Sequence, residues 1–465
     1  MLTGQAAIAQ VVAFAGTLVL AHLLLPRAFG IVAFGATVVV IGNFFADGGL
    51  GAALIRRASD PTTAELRALL GLQLAFGGVV ALGIAAVGIQ AGTAGAVTAL
   101  MALSLPLLAL RAPHAIVLER GLRYGAVASI ELVESLSYYA WAVAAVGVGW
   151  GVWGLASAAV ARALVGSVLM TLASPLGVVW PRLSLATLRP MLGFGVGFQA
   201  VGLAALARNQ GVNLVVAAGG GAQVLGYWSL ANRLLQVPFW LFQALWRVSY
   251  PTMARLRALG EDTTLTVERL AAVTALVAGA ALAPLAASAH DLVPGIFGAP
   301  WAAAASPLPW ACAGLAISGP ISVAAAGYLY SESDVGTPLR ATIANGLVWV
   351  GLTAALIGPV GVAAAGVAWM AASWTEAVIF SRALRRRARV GITRVILVPV
   401  LAVYASFAVV YVLPFEMASP LASGIAEGTT AVGLYAILNL MFNRPATIET
   451  IQRIRSIVRP RTAAP

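Results

Sequence analysis

Runs of about twenty apolar residues, separated by short turns or by arginine clusters, fill almost the whole chain. Each run is long enough to cross the roughly 30 Å hydrocarbon core of a bilayer as a helix that rises about 1.5 Å per residue. The chain is 61% hydrophobic and 9% charged, whereas about 25% of the residues of a soluble domain are charged. The sequence therefore predicts an all-helical protein that crosses a membrane many times.

We count fourteen predicted spans, and the first lacks a preceding basic segment, so we expect it to act as a signal anchor and not as a cleaved signal peptide. The loops on one side are short, the longest being residues 290–301, and leave no room for a soluble domain. The single cysteine, Cys312, excludes disulfides within the chain and cysteine-based metal sites. The predicted spans are 4–25, 29–47, 67–90, 94–115, 124–147, 152–174, 191–218, 222–249, 266–288, 302–328, 338–357, 360–382, 394–413 and 420–441.

All 28 basic residues are arginine, and the net charge is +12. On alternate loops we count 23 arginines, Arg111 among them, whereas the opposite loops hold only Arg27. Because basic loops stay on the cytoplasmic side, the pattern predicts a multi-pass membrane protein with both termini in the cytoplasm. The basic excess then indicates orientation and contact with anionic lipids, since no nucleic-acid-binding motif accompanies it.

Two short motifs recur along the chain: residues 29–34 resemble residues 225–230, and residues 151–156 resemble residues 358–363. Chance similarity between glycine-rich and alanine-rich helices is the alternative to a true repeat. A repeat of six helices predicts two lobes that point the same way and are related by an axis along the membrane normal. We predict a first lobe at 1–174, a linker at 175–190, a second lobe at 191–383, two additional spans within 394–441 and a basic amphipathic tail at 442–465.

Two arginines lie deep inside consecutive predicted spans. Arg233 is twelve residues after Gly221 and Arg208 is ten residues before Ala218, which places them about 18 Å and about 15 Å from the outer ends of their spans. A central arginine costs at least about 2.5 to 3.5 kcal/mol unless it faces water or a partner. We interpret both as ligands of an anion such as pyrophosphate, which guanidinium groups bind in a bidentate way; a structural ion pair is the alternative.

The same two spans carry amides that are candidates for hydrogen bonds to sugar hydroxyls or for packing between helices. These are Asn209, Asn213, Asn232 and Gln236.

In the first lobe, Glu134 and Arg162 lie at equal depth on adjacent spans, about 15 Å from an end. This placement predicts an ion pair, and the alternative is that Glu134 is a protonatable coupling site. Glu131 shares the helix face of Glu134. The two acids could bind a cation together, which leaves coupling to H+ or Na+ open, although no cluster of oxygen ligands marks a sodium site.

Four further charged residues are candidates for gating. His22 lies near the outer end of the first span, as a titrating group or an interfacial hydrogen-bonder. Asp47, at the inner edge of the second span, is expected to pair with Arg56 or Arg57 or to cap the break at residues 48–49, with a gate as the other interpretation.

Arg247 and Glu376 lie nearer the inner surface, where snorkelling or an inner gate suits them. Pro238, just beyond Arg233, predicts a kink in its span.

Three blocks of sequence resemble the polysaccharide transporter branch of the multidrug/oligosaccharidyl-lipid/polysaccharide exporter superfamily, the Wzx-type flippases. The blocks are residues 21–30, residues 47–57 and residues 225–256, the last with Ala-x-Arg-Leu and Arg-Val-x-Tyr-Pro signatures. The chain departs from that pattern at His22, where relatives commonly have arginine, and at Val212, where they have an acid. The resemblance implies a MATE-like fold of two six-helix lobes, here with two further helices. It also implies export of undecaprenyl-pyrophosphate-linked oligosaccharide across the bacterial plasma (inner) membrane by alternating access.

We therefore expect a flippase and not an enzyme, with no cofactor or metal. Its expected partners are the polyprenyl-pyrophosphate-linked glycan, anionic lipids and the glycan polymerase or export machinery, and not nucleic acid. A multidrug or metabolite antiporter of the same fold is the first alternative, although such proteins favour acidic cavities. A membrane-bound transferase or ligase, or a scaffold, is the second, but no acid–base pair at an outer loop, metal-ligand cluster or phosphate-binding glycine loop supports catalysis.

Overall fold

The computed structural model describes residues 2–88, 90–388, 390–413, 415 and 417–458, and these contain helices joined by turns and no β-strand. The α-helices are α1 (Leu2–Leu23), α2 (Pro26–Asp47), α3 (Leu50–Arg56), α4 (Thr63–Gly88), α5 (Gly92–Ala102), α6 (Ser104–Arg120), α7 (Tyr124–Gly147), α8 (Val152–Ala173), α9 (Leu185–Ala258), α10 (Thr264–Phe297), α11 (Leu308–Ser331), α12 (Gly336–Val360), α13 (Ala363–Arg387), α14 (Ile392–Val412), α15 (Pro420–Phe442) and α16 (Arg444–Val458). A 3-10 helix, Ala299–Ala305, precedes α11.

The predicted all-helical class is confirmed, and every predicted span falls mainly on helix. Within the described ranges, eleven helical stretches are long and apolar enough to cross a membrane. One of them, Gly202–Ala258, has 57 residues, which is enough for two crossings at about 1.5 Å per residue. The whole of α9 contains predicted spans seven and eight, which are separated only by a non-helical turn at Gly221, where φ is 75°. Glycine adopts this positive φ without the steric cost that other residues incur.

The fourth predicted span falls on α5 and α6, which meet at Leu103 and together form one of the eleven stretches, Gly92–Arg120. One predicted boundary is wrong. Residues 290–297 were assigned to an outer loop, but α10 continues through them to Phe297. This end of α10 packs tightly against the start of α15. The contact requires glycine at residue 424, because a Cβ there would lie only 2.7 Å from the backbone nitrogen of Leu292. Packing between two apolar helices therefore keeps this segment helical, although its histidine, aspartate and proline indicate a loop.

The chain divides into two compact units, Met1–Gly226 and Tyr227–Pro465. The predicted lobe boundaries, 1–174 and 191–383, stay a prediction. In unit 1, the stretch of α9 that ends at Gly226 runs antiparallel to α2. Three contacts define this packing: Gly195 with Gly49, Asn213 with Thr37, and Gly226 with Gly30.

Gly30 and Gly226 occupy equivalent positions in the repeated motif that the sequence predicts, and they pack against each other. A methyl group on Gly30 would overlap the backbone carbonyl of Ala222, and one on Gly226 would overlap that of Pro26. Neither backbone can retreat as a flexible side chain could. The two positions therefore require glycine because of space, as at other close helix crossings in membranes.

We predict that Gly30→Ala lowers the thermal stability of the purified protein, since overpacking costs about 1 to 3 kcal/mol. Gly78→Ala is the matched control, because no atom lies within 4 Å of a Cβ at that position of α4. Alanine is the better helix former, so the control should melt at the same temperature as the wild type or slightly above it. Equal melting of the two variants would contradict the packing described above.

In unit 2, the remaining part of α9 buries one face against α11. The ring of Phe242 fills the space beside Gly319, and the Ser249 hydroxyl donates to the carbonyl of Val323 at 3.1 Å. Tyr435 of α15 donates to the carbonyls of Ala275 and Leu276 at 3.2 and 3.0 Å, and so joins α15 to α10. These contacts fix the rotation of each helix about its axis.

Candidate functional site

A buried carboxylate lies at the centre of unit 1. Glu134 of α7 is 2% exposed, and its oxygens lie 2.7 Å from a guanidinium nitrogen of Arg111 and 3.7 Å from Nε of Arg162. A Cβ at residue 166 of α8 would overlap this carboxylate, so Gly166 makes the space for it. The structure thus brings Glu134 and Arg162 together, on neighbouring helices, and adds a second cation.

The assignment of Arg111 to a cytoplasmic loop is wrong. Arg111 lies inside α6, nine residues before its last residue, although Pro113 follows closely. Proline is tolerated within a membrane helix. The Ser167 hydroxyl of α8 donates to the carbonyl of Leu107, one turn before Arg111, at 2.5 Å and so joins α8 to α6. The cluster thus holds two guanidinium groups and one buried carboxylate, whereas Glu131 of α7 is exposed.

His114, which the sequence analysis did not single out, is also buried, at 3% exposure. It follows Arg111 by three residues on α6, and its Nδ1 has no hydrogen-bond partner within the part of the chain that the structure describes. Its place beside Pro113, in a run of apolar residues, gave no signal of function.

Asp47 accepts hydrogen bonds from the backbone N–H of Gly49 at 3.2 Å and from the Gln73 amide at 3.3 Å. Of the two expectations for this residue, capping of the helix break is therefore the one observed. Gly48 and Gly49 both have positive φ there, 57° and 70°, and connect α2 to the short α3.

The arginines that were alternative partners of Asp47 have other contacts. Arg57 pairs with Glu65 at 2.7 Å, and the Arg56 guanidinium lies 4.3 Å from the ring centre of Phe194 on α9. Arg120 donates to the carbonyls of Leu54 and Ile55, both at 3.0 Å, and so satisfies the C-terminal end of α3.

On α9 in unit 1, Arg208 is half-buried and donates from Nε to the Asn209 side chain at 3.2 Å. It has no carboxylate partner among the residues that the structure covers. Asn213 donates to Thr37 on α2 and to Gln210, both at 3.2 Å. Asn213 therefore takes part in helix packing, the second of the two roles that the sequence allows.

On α9 in unit 2, Arg233 and Arg247 are exposed, and Asn232 and Gln236 are half-buried. The backbone stays helical through Pro238. Arg208 belongs to unit 1, whereas Arg233 belongs to unit 2. The role of each of these side chains stays a prediction.

Glu376 of α13 accepts a hydrogen bond from Ser322 of α11 and another from Asn345 of α12, each at 3.0 Å. The three helices therefore meet at this carboxylate. His22 is exposed, and its Nδ1 lies 2.9 Å from the carbonyl of Leu18, one turn earlier. This contact agrees with an interfacial hydrogen-bonder.

The predicted basic tail is helical up to Val458, and residues 459–465 lie outside the described residues. Ile448 and Ile451 are exposed, whereas Thr447 and Thr450 of the same helix are buried. Contact of this helix with anionic lipid stays a prediction. Over the described residues, no group of three or more histidine, cysteine or acidic side chains could hold a metal ion.

Asp334, in the turn between α11 and α12, accepts hydrogen bonds from the backbone and hydroxyl of Thr337 and pairs with Arg387 at 2.7 Å. The Thr337 hydroxyl, above all, and then the cation lower the pKa of Asp334 below its ordinary value. A carboxyl with a lowered pKa contributes stability that is complete above its unfolded pKa, about 3.9, and is lost only as the pH falls through the folded value.

We predict that Asp334→Ala lowers the melting temperature by the same amount at pH 6 and at pH 8. Glu261→Ala, which changes an exposed acid, should leave it unchanged. A penalty for Asp334→Ala that shrinks between pH 8 and pH 6 would show that the carboxyl titrates in this range, against the expectation.

The fold is similar to those of two solved transporters. A lipid II flippase, MurJ, in an inward closed conformation, matches with a TM-score of 0.78 at 12% identity, over 96% of this chain and 99% of that chain. A multidrug resistance MATE family transporter of the MOP superfamily, in an inward-facing conformation, matches with a TM-score of 0.60 at 15% identity, over 84% of this chain and 98% of that chain. At these identities the likeness shows the fold.

Comparison at the level of sequence gives the family. No curated protein matches the chain. The sequence model of a family described as "Polysaccharide biosynthesis protein" matches residues 19–306, which is more than half of the chain and includes α9 with all its candidate residues. The chain is therefore a multi-pass membrane protein with the fold of the MOP-superfamily transporters, and it belongs to the polysaccharide biosynthesis protein family.

Proposed function

We propose that the protein is a flippase that moves a polyprenyl-pyrophosphate-linked oligosaccharide from the cytoplasmic to the outer leaflet of the bacterial plasma membrane. The observation that carries this proposal is the exposed Arg233, deep within a predicted membrane span of α9. A guanidinium at that depth is costly against hydrocarbon, so the surface that presents it is expected to face water and a polar substrate. The family, which serves polysaccharide biosynthesis, agrees with a glycan as that substrate.

The chemistry of the substrate fits the side chains of α9. A pyrophosphate carries dense negative charge, and a guanidinium can donate two parallel hydrogen bonds to its oxygens. Arg208 and Arg233 are each candidates for this contact. The polyprenyl tail can stay in the bilayer while the headgroup crosses, so the protein lowers the cost of taking charge and hydroxyl groups through hydrocarbon and breaks no bond.

An antiporter of cationic drugs is the competing proposal, because one of the two similar folds belongs to a multidrug transporter. Cationic substrates favour acidic surfaces. Two acids deep in the helices are engaged here: Glu134 pairs with two arginines, and Glu376 accepts bonds from Ser322 and Asn345. Their engagement, together with Arg208 and Arg233 on α9, favours an anionic substrate.

The test is the sidedness of lipid-linked oligosaccharide in cells from which this protein has been deleted, read with a lectin or glycosidase that does not cross the membrane. Intermediates should accumulate where the probe cannot reach them and should become accessible when the wild-type protein is restored. Normal outward display without the protein, in cells with no second exporter, would contradict a flippase and favour the antiporter.

A further inference from the structure

One face of α9 in unit 2 carries a regular line of exposed side chains. Arg233, Val237, Trp240, Ala244 and Arg247 are all exposed, and they follow one another at intervals of four, three, four and three residues. Seven residues are almost two turns of a helix, so positions 233, 240 and 247 stack in one line, about 10.5 Å apart. We call this set the α9 stripe.

The rotation of α9 is fixed by its opposite face. Leu235 and Met253 are 0% exposed, Phe242 is 6% exposed and Ser249 is 1% exposed. Phe242 and Ser249 pack against α11, with the Ser249 hydroxyl bonded to its backbone. Turning the stripe inward would therefore bring these buried residues out, so the stripe faces away from the core of unit 2.

The residue types of the stripe are unusual for a surface that faces only lipid. Two arginines lie at its ends, one near the middle of the membrane and one nearer the inner surface, and each would cost several kcal/mol in hydrocarbon. Trp240, 37% exposed, lies midway between them. A partly exposed aromatic ring between two guanidinium groups forms a surface that can bind negative charge at its ends and an apolar ring face at its middle.

A lipid-linked glycan has the same alternation. Its pyrophosphate is anionic, and the first sugar attached to it has an apolar face of C–H groups that can stack on an indole ring. The separation of about 10.5 Å between adjacent members of the stripe is comparable to the length of a pyrophosphate and one sugar ring together. The pyrophosphate can thus bind at one arginine while the sugar covers Trp240.

We propose that the α9 stripe is a binding track for the headgroup, in which Arg247 and Arg233 bind the pyrophosphate in turn and Trp240 stacks on the first sugar. This inference rests on the proposed function and adds to it a residue that recognises the sugar. If Trp240 stacks on the first sugar, the protein binds polyprenyl pyrophosphate that carries a sugar more tightly than polyprenyl pyrophosphate without one.

The test is binding of two probes to the purified full-length protein in lipid nanodiscs: undecaprenyl pyrophosphate, and undecaprenyl-pyrophosphoryl-N-acetylglucosamine. Trp240→Leu should weaken the sugar-bearing probe about three- to tenfold, the range of an aromatic contact, and leave the Kd of the sugar-free probe unchanged. Trp240→Phe keeps an aromatic face and should restore most of the affinity. Arg233→Ala should weaken both probes.

Trp246→Leu is the matched control, because Trp246 lies on the same helix and is 44% exposed, but points about 140° away from the line of Arg233. It should bind both probes as the wild type does. If Trp240→Leu weakened the binding of both probes equally, or of neither probe, the proposed sugar contact would be overturned. The flippase proposal would not be affected by that result. Failure of the wild type to bind either probe would overturn both.

Discussion

Replacing Arg233 with alanine is expected to abolish export of the lipid-linked glycan while the protein still reaches the membrane in normal amount. Arg233 is exposed on α9, so its removal leaves no cavity in the core. Hydrogen bonds to charged groups contribute about 1.5 to 3 kcal/mol each, and the loss of one weakens binding of a pyrophosphate about ten- to a hundredfold. Removing an arginine from the depth of the membrane also makes insertion of α9 easier and not harder.

The measurement is the rate at which lipid-linked oligosaccharide becomes accessible from outside, at matched protein levels. Arg233→Lys keeps the charge but loses the planar pair of donors, so it should retain partial activity. Arg27→Ala, an exposed arginine near the start of α2, serves as a control with normal export. Full activity of a double variant, Arg208→Ala with Arg233→Ala, would contradict the assignment of both arginines to pyrophosphate binding.

The second large effect is expected at Glu134, where the consequence is loss of stability. Glu134→Ala leaves Arg111 and Arg162 beside each other without their shared carboxylate. Removing one partner of a buried ion pair costs about 3 to 5 kcal/mol, because the remaining charge is left uncompensated. Arg111, whose side chain is 21% exposed and lies 2.7 Å from the carboxylate, depends on Glu134 more than Arg162, which is 50% exposed and lies 3.7 Å from it.

Thermal melting of the purified variants measures this effect. Glu131→Ala is the control from the same helix, since Glu131 is exposed and three residues away, and it should change the melting temperature little. Arg111→Ala should destabilise the protein more than Arg162→Ala does. If Glu134→Ala melted at the same temperature as Glu131→Ala, the buried cluster would not stabilise unit 1.

The helices of this protein could be predicted from sequence because length and hydrophobicity alone define them. Residues 124–147 were predicted as a span, and α7 is Tyr124–Gly147. The errors arose where a local signal competed with packing. His290 and Asp291 indicate a loop, yet α10 continues through them, because glycines of α10 and α15 let these two helices approach closely.

The ionic partners were harder to predict than the helices. Equal depth on adjacent spans correctly suggested Glu134 with Arg162, but Arg111 was missed, since it was counted among the arginines of the cytoplasmic loops. Contacts such as that between Gly30 and Gly226 join residues far apart in sequence. Only the repeated motif, in which the two glycines are equivalent, marked these positions in the sequence. The α9 stripe needed the structure, because exposure decides which side of an apolar helix is outward.

The most direct test of the flippase proposal uses the purified protein alone. We would reconstitute it into sealed vesicles that contain fluorescently labelled undecaprenyl-pyrophosphoryl-N-acetylglucosamine and add a quencher that cannot cross the bilayer. The proposal predicts that the wild type makes nearly all of the label accessible, whereas vesicles with Arg233→Ala, like vesicles without protein, keep the label of the inner leaflet protected. Protection of that label in vesicles with the wild-type protein, in either orientation and with H+ or Na+ gradients applied, would contradict it.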